Sequence, residues 1–84
     1  MKLRNYSSKQ VILFLKSRGF VLHHKKGSHN ILIKRGVCRV VVPERKEIAI
    51  GTLRAILRES NISNLEIIEF FEKKSVKRRR RQNE

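Results

Sequence analysis

His29 stands between two pairs of cations, Lys25-Lys26 and Lys34-Arg35, in the stretch KKGSHNILIKR. An imidazole changes charge between about pH 5 and 8, so it can take or give a proton at neutral pH. Lys and Arg can hold the extra negative charge of a phosphoryl transition state. RNA cleavage needs little else, because the ribose 2′-OH is an internal nucleophile. One imidazole ringed by cations is therefore a candidate for moving protons on an RNA phosphodiester. On these residues alone a second reading stays open: a structural strand histidine among solvated strand-edge and turn lysines.

Other chemistries lack their residues. There is no Asp, all seven acids are Glu, and no two of them have the spacing of a two-carboxylate or two-metal site. Neither pattern of Gly-rich phosphate loop occurs. The adjacent His23 and His24 are expected to point to opposite faces of a strand, and so not to share a metal. Cys38 has no partner for an internal disulfide. It reads as a small apolar strand residue, compatible with a reducing, cytoplasmic location. Apolar runs of at most five residues leave no transmembrane span, and no membrane partner is expected. No metal and no small-molecule cofactor is expected either.

The charge balance points to a partner. The 84 residues suit one small domain and carry 21 Lys and Arg against 7 acids, a net charge of +14. That excess costs self-repulsion and makes sense beside a polyanion. From Lys73 the chain reads KKSVKRRRRQNE. Its seven basic residues and Glu84 give this segment +6 and leave +8 on residues 1–72. The expectation is a domain over 1–72 and a basic tail over 73–84, disordered in isolation, that adds to one electrostatic footprint.

The elements that must position His29 follow from periodicity. Ser7 and Gln10 form a capping box before a helix over about 8–18, with Gly19 as its stop. A β-branched stretch divided by two glycine turns then predicts strands over 20–25, 29–34 and 37–42, ended by Pro43. Turns this short force an antiparallel meander. Leu53, Ile56 and Leu57 mark a second helix from about Thr52, which Asn61 can end. Ser63 and Glu66 open a last short helix with Leu65, Ile68 and Phe71 on one side. The fold class is α+β, α-β-β-β-α: a three-stranded antiparallel sheet with helices on one face and a short extra C-terminal helix. The other sheet face is left open. By the period of two, His29 shares a face with Ile31 and Ile33. If those isoleucines pack on the helices, His29 starts on the covered side, and only its place at the strand's first position keeps it in solvent.

The pieces LKSRGF at 15–20, GSHNI at 27–31, VVVP at 40–43 and EIAIGTLRAILRESNI at 47–62 occur in one order within about residues 8–71. In these motifs the chain resembles the HicA-like (YcfA) toxins of bacterial type II toxin–antitoxin systems. The resemblance implies a fold like a double-stranded-RNA-binding domain, an endoribonuclease activity on mRNA, and a HicB-like antitoxin that masks the site. It implies that His29, the histidine of the GSH motif, is catalytic, and that Gly27 and Ser28 form the turn presenting it. Two positions depart from the common pattern. Many members have a second histidine where this chain has Asn30, and another where it has Arg45.

The expected site is thus His29 as general acid/base, with Lys25, Lys26, Gly27, Ser28, Lys34, Arg35, Arg39 and Arg45 binding RNA. Two rivals differ in class. One is a non-catalytic RNA-binding module, which needs no histidine and reads phosphates and 2′-OH groups by shape. The other is a small basic protein whose partner is an acidic protein.

Overall fold

The computed structural model describes residues 2–72; the basic tail expected over 73–84 lies outside the described residues. Helix α1 (Ser8–Ser17) begins at a complete capping box: Gln10 N–H donates to Ser7 Oγ, and Ser7 N–H donates to the Gln10 side chain. Gly19, at φ +95°, follows the helix and turns the chain into the sheet. Strands β1 (Val21–Lys26), β2 (His29–Lys34) and β3 (Cys38–Pro43) form an antiparallel sheet in the order β1-β2-β3. Each lies one residue later than the expected ranges or matches them. Pro43 is the last paired residue, opposite His29, not the first beyond the ladder. A proline is tolerated there because β3 is an edge strand.

Helix α2 (Ile50–Glu59) follows, with no side chain capping its N-terminus. Asn61, at φ 60°, reverses the chain after it, the left-handed role that asparagine fills at a helix end. Residues 64–72 are helical and are termed α3. At its start Glu66 reaches back to Ser63 N–H, 3.2 Å, so half of the expected capping box is made.

Among the described residues, all the helical packing lies on one sheet face. Leu32, Val40 and Val42 project from the strands into a core with Val11, Phe14, Leu15, Leu53, Ile56, Leu57, Ile67 and Ile68. The partly buried Cys38 packs against this core as a small apolar residue. One open condition is settled here and one expectation is corrected. In β2 the core residues are Asn30 and Leu32, not Ile31 and Ile33, which are only half-buried on the far face. In α3 the buried stripe is Ile67 and Ile68 with Phe71 partly buried, while Leu65 is exposed. Tyr6 fixes that phase: its ring stacks on Phe71 at 4.8 Å, and the Phe70 ring meets Phe14 edge-on at 5.4 Å. Burial of the Tyr6 ring raises its phenol above the ordinary value.

Candidate functional site

The hairpin that carries His29 is as tight as a hairpin can be. Lys26 pairs with His29 across β1 and β2, so Gly27 and Ser28 are the whole loop. Gly27 has φ +59° and Ser28 is not in the left-handed region, the pattern of a II′ turn with glycine first. The third strand pins the loop: Glu44 N–H donates to the Ser28 carbonyl at 2.7 Å. His29 is therefore held at the rim by backbone on both sides, and its side chain is exposed.

The sheet register assigns the faces, because residues paired across antiparallel strands project to the same side. Lys26, His29 and Pro43 lie together on the open face, as do His24, Ile31 and Val41 one step along, then Val21, Ile33 and Arg39. The condition that would have put His29 on the covered side is not met, because the isoleucines are on the open side with it.

The paired histidines need a correction of their own. Leu22 pairs with Leu32 and His24 with Ile31, which leaves His23 as the extra residue of a β-bulge. A bulge breaks the alternation of faces. The His23 and His24 rings stack on one another, with centroids 5.9 Å apart and planes within 8° of parallel, rather than pointing to opposite faces. Among the described residues, no three His, Cys, Asp or Glu side chains form a group that could hold a metal ion.

The expected RNA-binding residues fall into distinct places. Lys26, Gly27 and Ser28 adjoin His29. Lys25 pairs with Asn30 and faces the helices, where its Nζ lies 3.5 Å from Glu44. Arg39 shares the His29 face but pairs four residues along, about 14 Å away at the usual strand rise. Lys34 ends β2 about 17 Å from His29. It turns to the other face, with its Nζ 5.9 Å from the Phe20 ring centroid. Arg35 begins the distal turn. Arg45 lies on the near side, just beyond the residue that binds the Ser28 carbonyl.

Lys9 and Lys46 were not singled out from the sequence, yet they sit beside Arg45. The three cations, with Ser7, Ser8 and Glu44, line a groove of about 410 Å³ next to the hairpin. Ser8 makes this closeness possible. It is buried, and its N–H and hydroxyl bond the Arg45 carbonyl at 3.0 and 3.1 Å. The signal in the sequence was only the short distance of Lys46 from Arg45; Lys9 is 36 residues away from Arg45 in the chain.

Asn30 explains one departure from the motif. It is 3% exposed and turned from His29 toward the helices. Its side-chain N–H groups donate to the Val42 carbonyl at 3.1 Å and to Glu44 Oε1 at 2.9 Å. Glu44 in turn is held below the usual carboxylate range, first by Asn30 and then by the Lys25 charge. Because its carboxyl ionises more readily folded than unfolded, this network contributes stability at neutral pH that is lost as pH falls through the folded-state value. Glu44→Gln should therefore lose less melting temperature than the parent between about pH 6 and pH 3. Glu66 is shifted in the same direction, chiefly by the Ser63 N–H, so the acid limb should be reduced and not abolished. Equal acid limbs in parent and Glu44→Gln would show that the network carries no such linkage.

The fold and site define a class: a small basic α+β domain that holds one imidazole at a hairpin tip and, among the described residues, leaves a sheet face uncovered. A family model described as the HicA toxin of bacterial toxin–antitoxin systems matches residues 8–62, more than half of the chain. The chain belongs to this HicA toxin family and is the toxin component of a toxin–antitoxin system, whose counterpart is an antitoxin. No curated protein sequence matches it closely enough to count as a relative. Among the described residues, no helix is long and apolar enough to cross a membrane.

Proposed function

We propose that the protein is a metal-independent endoribonuclease that cleaves mRNA in the cytoplasm, with His29 as its catalytic residue and a HicB-like protein as the antitoxin that masks it. The observation that carries this reading is the exposed His29 at the hairpin tip, paired with Lys26 on a sheet face that holds no acid. His29 takes the proton from a ribose 2′-OH. The 2′ oxygen attacks the adjacent phosphorus, the bond from phosphorus to the 5′ oxygen breaks, and that oxygen leaves with a proton from solvent or Lys26. The products are a 2′,3′-cyclic phosphate and a 5′-OH. Lys26 faces the phosphorane across the strand pair and offsets its added charge. The loop of Gly27 and Ser28 brings the ribose close to the imidazole.

The other expected cations divide by distance. Arg45, with Lys9 and Lys46, meets phosphates beside the hairpin, and Arg39 meets them farther along the open face. Lys34 and Arg35 act on RNA only as long-range charge. Lys25 serves Glu44 first.

Cleavage of a defined oligoribonucleotide with and without EDTA tests the chemistry. The expected result is unchanged cleavage in EDTA, with cyclic-phosphate ends on the 5′ fragments. Loss of activity in EDTA, or 3′-OH ends, would overturn the mechanism. Binding that weakens as salt rises, with no cleavage at all, would instead favour the RNA-binding module.

A further inference from the structure

We infer that the His23 and His24 rings form a platform on which an unpaired nucleobase stacks, and that the RNA presented to His29 is single-stranded. This rests on the RNA-cleaving reading above and specifies the form of RNA that the site takes. The bulge in β1 is the origin of the platform. It stacks two successive imidazoles on an exposed strand, with their planes 8° apart. Among the described residues neither ring is hydrogen-bonded or ion-paired, and the strand that carries them is exposed, so the outer side of the stacked pair is not used by the fold itself.

Position supports the same conclusion. His24 pairs with Ile31, and Lys26 pairs with His29. The stack therefore begins two residues along the sheet from His29, about 7 Å at the usual rise. A strand of RNA with its phosphate at His29 and Lys26 can lay a neighbouring base over the imidazoles. Unpaired bases stack on aromatic side chains, histidine included. A base inside a duplex is already covered on both sides by its neighbours and has no face to offer. The half-buried Ile31, Ile33 and Val41 continue the same surface with apolar area, and no acid occurs anywhere before Glu44 to repel phosphates from it.

The test uses the full chain with His29→Ala, so that binding is measured without cleavage. The probe is an unstructured oligoribonucleotide containing 2-aminopurine, whose fluorescence falls when the base stacks, beside the same strand annealed into a duplex. The single strand should bind more tightly than the duplex and be quenched. Adding His23→Ala and His24→Ala should lower its affinity on the order of tenfold and remove the quenching, because one base–aromatic stack is worth about that much. Phenylalanine at both positions, which keeps the aromatic faces without the ring nitrogens, should restore both. Unchanged affinity and quenching in the alanine pair would overturn the platform and leave the nuclease reading standing. So would failure of phenylalanine to restore them, or preference for the duplex. Absence of RNA binding in every form would instead remove the nuclease reading, and the platform with it. Thermal melts of each variant report folding; both positions are on the exposed strand.

Discussion

Replacement of His29 by alanine should reduce RNA cleavage by about 10²- to 10⁴-fold, the range that a positioned acid or base contributes. RNA affinity should change little, because Lys26, Arg45 and the open face remain. Stability should also hold, since the side chain is exposed and the strand pairing is made by backbone. The measurement is single-turnover cleavage beside binding of an uncleavable 2′-deoxy analogue. In cells, induced parent protein should arrest growth with loss of mRNA, and the alanine variant should not. Equal cleavage by both proteins would show that His29 does no chemistry. Loss of binding together with cleavage would move the protein toward the non-catalytic module.

The largest effect on stability is expected at Phe14. Its ring is fully buried, meets Phe70 edge-on, and has the Arg18 guanidinium 5.0 Å above it. Phe14→Ala should cost about 3–5 kcal/mol through lost transfer energy and the cavity left behind. A domain of this size has about 3–5 kcal/mol in all from a single core. The variant should therefore show no cooperative melt at room temperature, and Phe14→Leu should retain one at a lower midpoint. A melting temperature within a few degrees of the parent for Phe14→Ala would mean that the core closes around the gap.

Much of this arrangement could be read from local chemistry. The capping box at Ser7, the glycine turns at 27 and 36, and the helical stripe of Leu53, Ile56 and Leu57 are short-range signals, and each appears where expected. The exposure of His29 followed from its place beside the turn. What escaped depends on partners distant in the chain. The bulge at His23 is a property of the pairing with β2, so strict alternation along β1 put the two imidazoles on opposite faces. Asn30 reads as a polar residue suited to the surface, yet Val42 and Glu44 complete its hydrogen bonds and allow its burial. That burial also fixes which face His29 takes, since its neighbour faces the core. The phase of α3 was set by Tyr6 and Phe14, which lie more than fifty residues earlier than Phe70 and Phe71. A cluster of positive side chains in the sequence likewise says nothing of direction: Lys25 and Lys26 are adjacent but serve opposite faces.

Among the described residues, strand β1 has a neighbour on one side only. Its outer row of N–H and carbonyl groups is a template on which a strand of another molecule could assemble. Two features of the same six residues discourage this. The extra residue at His23 interrupts the spacing that an incoming strand would have to match, and Lys25 and Lys26 would meet like charges in a second copy. Deleting one of the two histidines would straighten the strand and leave the longer, flatter border that favours aggregation. The irregularity that gathers the imidazoles thus also works against edge-to-edge pairing of this strand.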